Sequence, residues 1–387
     1  RRDRHVVAVV GDGALTGGMT WEALNNISDD NDRNLVIIVN DNGRSYAPTI
    51  GGMARYLNRV RTNDAYQTLY RSSGSFFSRL GPAGRAMYRG LRGGAHGFLS
   101  RFANNAALYS NLDIKYLGPV DGHDLESLIE TLRLAKAYGA PVIVHAITEK
   151  GQGFEPARND EADQFHAVGR IDPLTGATLG GESVTAWTDV FADQLVKIGD
   201  EREDVIAITA AMLRPVGLLP FAQKYPDRVY DVGIAEQHAV ASAAGLAYGG
   251  LHPVVAIYAT FMNRAFDQVM MDVGLHRAGV TFVLDRAGVT GPDGPSHHGI
   301  WDLAMLQLVP HIRIAAPRDA TRLRETLDEA VAVEEAPPVV RFPKGGVGVE
   351  LAPVQRLADG TGVLPRGASD DGPPGGSGPM VRMAKDR

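Results

Sequence analysis

The chain has 387 residues, enough for two or three domains with buried cores. Its 39 Lys and Arg against 45 Asp and Glu leave a net charge of −6, which argues against a chain built to coat nucleic acid or an anionic membrane. Cysteine is absent, excluding a disulfide scaffold, a thiolate metal site and a catalytic thiol, and the 44% hydrophobic and 22% charged content is that of a globular protein.

The elements alternate strand and helix. Val6–Val10 is an apolar β-branched run ending at Gly11-Asp12-Gly13, a helical stretch follows from about Thr16 to Ile27, and Leu35–Val39 ends at Asn40-Asp41-Asn42. Helical Leu125–Tyr138 leads to a strand at Pro141–Ala146. After the turn-rich 169–181 stretch comes a helix at Val184–Ile198, then strands at Val205–Thr209, Val229–Val232, Val254–Tyr258, Val280–Leu284, Ile312–Ala315 and Val339–Phe342. Helices near Glu236–Tyr248, Arg264–Leu275 and Asp319–Val333 lie between them. This order predicts an α/β protein with parallel sheets flanked by helices, with domains at 1–178 and 179–354 and a disordered Gly/Pro/Ser-rich tail at 355–387.

The charge-free run His238–Asn263 is long enough to consider as a membrane span, but Gly249-Gly250-Leu251-His252-Pro253 breaks it into helix, turn and strand. No signal peptide precedes the first strand, so the expected location is cytoplasmic, and the lack of an initiating Met marks the stretch as a piece of a longer protein. Residues 51–112 carry nine arginines against Asp64 alone, a local charge of +8. That segment reads as a long mobile insertion over an anionic-ligand site, in preference to a nucleic-acid-binding module.

Three constellations carry chemistry. Asp12, in Gly11-Asp12-Gly13-Ala14, precedes Asn42 by thirty residues. A right-handed strand–helix–strand crossover brings both to the carboxyl edge of neighbouring strands. Their oxygens suit one hard cation such as Mg²⁺, completed by phosphate oxygens, and the glycines and helix start suit a diphosphate. A tight turn after a strand explains Gly-Asp-Gly equally well. A Walker loop is excluded because no Gly-Lys-Ser/Thr follows, and Thr16 stands where a dinucleotide fingerprint needs glycine.

The second constellation is Asp231-Val232-Gly233-Ile234-Ala235-Glu236-Gln237-His238. Glu236 is either a carboxylate welcomed by a helix start or a partly buried carboxyl sharing a proton with a ring nitrogen. His238 reads as a satisfied structural histidine. The third gathers Tyr258, Arg264, Arg286, Asp293 and His297 at predicted strand ends and loops, a set suited to a small phosphorylated, carboxylated substrate.

Gly11-Asp12-Gly13 with Asn40-Asp41-Asn42 resembles the thiamine diphosphate fingerprint of transketolase-like enzymes. The strings at 118–124 (GPVDGHD), 231–240 (DVGIAEQHAV), 258–269 (YATFMNRAFDQV) and 285–299 (DRAGVTGPDGPSHHG) resemble the 1-deoxy-D-xylulose-5-phosphate synthase family, from about His5 to Val354. The resemblance implies two thiamine diphosphate-binding-type domains, a truncated diphosphate-binding one and a pyrimidine-binding one. It implies Mg²⁺ on Asp12, Asn42 and the Arg44 carbonyl, with Gly13, Ala14 and Asn42 on the diphosphate. Glu236 would hydrogen-bond the aminopyrimidine and so govern removal of the thiazolium C2 proton.

The implied reaction condenses pyruvate with D-glyceraldehyde 3-phosphate to 1-deoxy-D-xylulose 5-phosphate and CO₂, for isoprenoid and thiamine precursors, in a homodimer. Tyr258, Arg264, Arg286, Asp293 and His297 match substrate-side positions, and His166 is a further candidate for proton transfer. Two departures stand out. Lys344 occupies a position where the family commonly has Arg, keeping the charge but losing the bidentate fork. Phe154 stands where a cofactor-contacting Tyr is common. The family's upstream His-containing motifs and its third domain fall outside this stretch, so the chain by itself is expected to be inactive. The rival expectations are a transketolase, or a non-catalytic remnant or nucleic-acid-binding module acting through the Arg-rich segment.

Overall fold

The computed structural model describes residues 4–29, 32–45, 48–61, 112, 114–179, 184–351, 355–356 and 362–363. Most of the Arg-rich insertion and most of the tail lie outside the described residues. Within them, Gly51–Arg61 is helical, and Gln355–Arg356 pairs antiparallel with Gly362–Val363. The chain divides into two units, Arg1–Leu179 and Gly180–Arg387.

The first unit is a four-stranded parallel sheet. In chain order its elements are β1 (Val6–Gly11), α1 (Gly18–Ser28), β2 (Leu35–Asp41), α2 (Gly51–Arg61), β3 (Lys115–Asp121), α3 (Leu125–Tyr138) and β4 (Val142–Ile147). The strands lie in the order β1-β2-β4-β3. β-branched runs suit the central strands β2 and β4 because both faces are covered and period-two side chains pack to either side. On one face Ile37, Val39, Tyr116 and Ile143 pack with Leu24 of α1 and Leu57 of α2. On the other, Val36, Val142 and Val144 pack with Ala135 of α3. Asp124 caps α3 by accepting the Ser127 N–H, and Gly139, at φ 74°, ends it in the left-handed region where glycine carries no Cβ penalty. β1 is an edge strand, and Val6, Val7 and Val9 are exposed along it.

The second unit holds a six-stranded parallel sheet. Its elements are α4 (Trp187–Glu201), β5 (Val205–Thr209), β6 (Val229–Asp231), α5 (Glu236–Tyr248), β7 (His252–Tyr258), β8 (Thr281–Asp285), β9 (Arg313–Ala315), α6 (Ala320–Val331) and β10 (Pro338–Arg341), with strand order β6-β5-β7-β8-β10-β9. Strands β5, β7 and β8 are buried along their whole length, as their apolar central residues require, with polar residues only at their ends. No helix among the described residues is long and apolar enough to cross a membrane.

Two sequence expectations are corrected, and one strand went unpredicted. The helix expected from Thr16 is instead a 3₁₀ turn, Gly13–Thr16, followed by α1 from Gly18, because Gly17 adopts an extended conformation between them. The helix expected at Arg264–Leu275 is three pieces: a 3₁₀ segment Ala259–Ala265, one α turn Phe266–Gln268 and a π stretch Val269–Gly274. Finally, β3 was not foreseen; its sequence KYLGPVD interrupts the apolar run with Gly118 and Pro119, and its register on β4 shifts between Leu117 and Val120.

At the amino end of the second sheet, buried His252 bonds Thr281 through Nε2 at 2.8 Å. Burial, aided by nearby Arg202, pushes the imidazole down to about 4 from an ordinary 6.5. The folded state therefore refuses a proton that the unfolded chain accepts, and stability drains away as pH falls from 6.5 towards 4. Between pH 7 and pH 4, His252→Gln is expected to lose about 3 kcal/mol less stability than the parent chain, read from urea unfolding at each pH. Parallel losses in the two proteins would show that His252 does not carry this dependence.

Candidate functional site

The carboxyl edge of the first sheet gathers the oxygen donors. Gly11 of β1 stands in register with Asn40 of β2, and the Asp12 N–H continues the ladder by donating to the Asn40 carbonyl at 3.1 Å. Asp12 and Asp41 are buried, at 2% and 1% exposure, and both line one cavity of about 310 Å³ with Gly43, Thr49 and Asn58. Two buried carboxylates in one cavity repel each other, and each is given a donor: the Thr49 hydroxyl on Asp12 Oδ2, and His145 Nε2, 2.9 Å away, on Asp41 Oδ2. Asn42 Oδ1 accepts the Arg44 N–H at 3.1 Å, an Asx turn that uses one of its two lone pairs. Such hard oxygen donors at one edge fit a small divalent cation bound largely through phosphate and backbone oxygens. No group of three or more His, Asp or Glu side chains able to hold a metal occurs among the described residues, so a cation here depends on amide, backbone or ligand oxygens.

A second loop is clamped onto this turn. The Arg44 guanidinium donates to the carbonyls of Glu161 (3.3 Å) and Ala162 (2.7 Å). Lys150 Nζ donates to the carbonyls of Ser45 (3.0 Å) and Asp163 (2.7 Å), and lies 3.0 Å from His166 Nδ1. Partial burial lowers the Lys150 pKa, with Asp163 opposing the shift. An ammonium facing Nδ1 makes that nitrogen the acceptor and leaves the imidazole proton on Nε2. His166 is exposed, and it sits on the Asp160–His166 turn that these cations hold beside Arg44 and Ser45. Phe154 precedes the short helix Glu155–Arg158 and meets Phe165 edge-on at 6.0 Å.

In the second unit, Glu236 opens α5 and is 2% exposed. Arg264, on the 3₁₀ segment after β7, brings Nε to 2.7 Å from Glu236 Oε2. The approach lies off the N–H direction, so the carboxylate oxygen gains charge compensation without a directed hydrogen bond. Burial raises the Glu236 pKa, outweighing the opposing pull of its own backbone N–H and of Arg264. A buried carboxyl whose proton affinity is raised can share a proton with a basic ring nitrogen at neutral pH.

A second cluster forms at the ends of β7 and β8. Arg286 has φ 60°, a left-handed conformation that costs a non-glycine residue roughly 1–2 kcal/mol and is held by its surroundings. Its guanidinium lies 4.0 Å over the Tyr258 ring, donates to the Pro215 carbonyl at 3.2 Å and pairs with Asp285 at 3.0 Å. Asp285 is 1% exposed, and burial pushes its carboxyl up to about 6 despite Arg286 beside it. Lys344 Nζ donates to Asp293 Oδ1 at 2.6 Å, with Arg286 Nε 3.9 Å from the other oxygen. His297 completes the cluster edge-on to Phe261, which stacks on Tyr258.

The loop carrying Asp293 and His297 closes at its base by two hydrogen bonds between Gly288 and Gly299, at 2.7 and 2.9 Å. A Cβ on Gly299 would come within 2.5 Å of the Ala259 Cβ, so only glycine lets the loop seat there. Arg286, Asp293 and Lys344 thus form one charge cluster at a sheet edge.

Comparison with known proteins follows this division. Residues 1–148 match the family described as 1-deoxy-D-xylulose-5-phosphate synthase, and residues 183–349 match the transketolase pyrimidine binding domain. A 1-deoxy-D-xylulose-5-phosphate synthase of Clavibacter sepedonicus is 70% identical over 381 residues, spanning 98% of this chain and 59% of that protein. The protein of that name from Leifsonia xyli subsp. xyli (strain CTCB07) is 72% identical over 362 residues, spanning 94% of this chain and 56% of the relative. The chain belongs to the 1-deoxy-D-xylulose-5-phosphate synthase family. It spans less than two thirds of the length of these relatives. Among solved structures, a split gene transketolase described as an inactive beta4 tetramer aligns with 46% of this chain and 57% of its own, at 27% identity and a TM-score of 0.40.

For a member of the 1-deoxy-D-xylulose-5-phosphate synthase family, the sequence reading left several side chains without a role. Asp41 sits inside the Asn40-Asp41-Asn42 string, yet only the flanking pattern was used; its burial and its bond to His145 are tertiary facts. Thr49 had no local signal. His238 is exposed, so the satisfied structural histidine expected there is corrected: α5 turns that side chain outward. His298, by contrast, pins the 288–299 loop by accepting the Thr290 N–H on Nδ1 at 3.2 Å.

Proposed function

We propose that this chain is the diphosphate-binding and pyrimidine-binding portion of an enzyme that condenses pyruvate with D-glyceraldehyde 3-phosphate, releasing CO₂ and 1-deoxy-D-xylulose 5-phosphate. Its cofactors are thiamine diphosphate and Mg²⁺, and the whole protein is a homodimer. The observation that carries this reading is the β1–β2 register, with Asp12 one residue beyond the Gly11–Asn40 pair and Asn42 two residues beyond it on the neighbouring strand.

The hard oxygen donors Asp12 and Asn42, with the Arg44 carbonyl, hold the cation, while the backbone of Gly13 and Ala14 and the Asn42 side chain meet the diphosphate. When bound, the cofactor supplies a nucleophilic carbon and an electron sink for decarboxylation. Phe154 contributes ring packing to it. Glu236 holds a proton at the aminopyrimidine ring, which its burial favours. Arg286 and Lys344 bind the aldehyde's phosphate, Tyr258 supports the Arg286 plane from below, and Asp293 sets the spacing of the two cations. Arg264 compensates Glu236, and His297 and His166 are the candidates for proton transfer.

The discriminating experiment is CO₂ release by the complete protein. Release that requires both pyruvate and the aldehyde phosphate is expected. Turnover of a ketose phosphate without pyruvate would replace this reading by transketolase.

A further inference from the structure

A buried polar chain crosses the first sheet. The Tyr116 hydroxyl lies 2.6 Å from His145 Nδ1, and His145 Nε2 lies 2.9 Å from Asp41 Oδ2. The three residues are 8%, 1% and 1% exposed. The sheet register gives their path. Tyr116 of β3 pairs with Ile143, His145 stands two residues further along β4, and Asp41 of β2 pairs with Ile147, two further again. The chain therefore climbs diagonally on one face, one side-chain level per strand, from near the amino end of the edge strand β3 to the carboxyl end of β2. It ends on the carboxylate that shares a cavity with Asp12.

Such a chain has a cost. Tyr116 belongs to an otherwise apolar cluster with Leu15, Leu24 and Ile37, where aliphatic side chains would pack without any polar atom to satisfy. Each member is instead held in one orientation by the next. We propose that Tyr116 and His145 are positioning residues that fix Asp41 as a second carboxylate of the divalent-cation cavity, and thereby set the affinity of that cavity for the cation. The inference rests on the cation-site reading given above. Asp41 is also tied through its main chain, whose carbonyl accepts the Thr148 N–H at 2.9 Å, so the strand end stays in place when the side chain is altered. Partners that orient metal-facing groups typically change metal affinity by about ten- to a hundredfold when removed.

The test uses the full chain with Mn²⁺ as probe, in the presence of saturating thiamine diphosphate, reading free Mn²⁺ by electron paramagnetic resonance beside a thermal melt. Asp41→Asn and His145→Leu are expected to weaken Mn²⁺ binding about tenfold or more. Tyr116→Phe, which removes one oxygen and keeps the packing, should weaken it by a few-fold. His145→Gln, which retains an N–H donor, should recover part of the loss seen with leucine. Unchanged Mn²⁺ affinity in all four variants, with only the melting temperature lowered, would make the chain purely structural and overturn the proposal. If instead Asp12→Ala binds Mn²⁺ as the parent does, the cation-site reading itself fails, and the proposal with it.

Discussion

Glu236→Gln is expected to slow exchange of the thiamine diphosphate C2 proton by about a hundredfold to ten-thousandfold, while cofactor affinity changes only a few-fold. The carboxyl is 2% exposed, and its pKa is raised chiefly by burial, so the glutamine isostere removes a charge that the site already disfavours. The folded state is therefore expected to tolerate the change, and the melting temperature should hold or rise. Arg264 loses its partner, but its side chain is 38% exposed and water replaces the contact. Proton exchange followed by NMR of the bound cofactor is the measurement. Exchange at the parent rate would remove Glu236 from any proton-transfer role and leave it as an ordinary helix-start carboxylate.

The largest effect on stability is expected from Arg341→Met. Arg341 Nε donates to Asp302 Oδ2 at 2.7 Å, and the same guanidinium reaches the Gly299 carbonyl at 3.3 Å. The Asp302 side chain is 0% exposed, so removing its partner strands a buried carboxylate. Breaking a pair of this kind costs about 3–5 kcal/mol, whereas replacing both members with apolar residues recovers most of the loss. Urea unfolding is expected to show that cost for Arg341→Met and a much smaller one for Arg341→Met combined with Asp302→Leu. A single-variant loss below about 1 kcal/mol would mean that solvent already screens the pair. The pair also anchors the base of the loop bearing Asp293 and His297 through Gly299, so the same variant should loosen the Arg286–Asp293–Lys344 cluster.

Much of the architecture was written in local pattern. The β-branched runs at Leu35 and Val205 and the helical period of 125–138 needed no tertiary information, because burial on both faces selects such residues whatever their neighbours. The family was legible for another reason: its strings lie where the chain leaves the carboxyl ends of strands, outside the apolar pattern that packing dictates. What escaped was tertiary. β3 was hidden by Gly118 and Pro119, which interrupt the pattern that would have announced it. The 259–275 segment carries a helical period yet folds as 3₁₀, α and π pieces, since periodicity cannot distinguish these windings. The Tyr116–His145–Asp41 chain spans three strands distant in sequence, and no window contains it. Nor did spacing disclose that Asp293 sits between Lys344 and Arg286, since their approach depends on the loop closed at Gly288 and Gly299.

The central claim is that a carboxylate and an amide from adjacent parallel strands hold one divalent cation against a diphosphate. Calorimetric titration of the 387-residue chain with thiamine diphosphate in the presence of Mg²⁺ tests it most directly, alongside the Asp12→Ala variant. The account predicts saturable, Mg²⁺-dependent heat for the parent and at least about a hundredfold weaker binding for the variant, the loss that follows from removing a charged, buried ligand worth about 3 kcal/mol. Equal affinity in the two proteins, or parent binding indifferent to Mg²⁺, would contradict it.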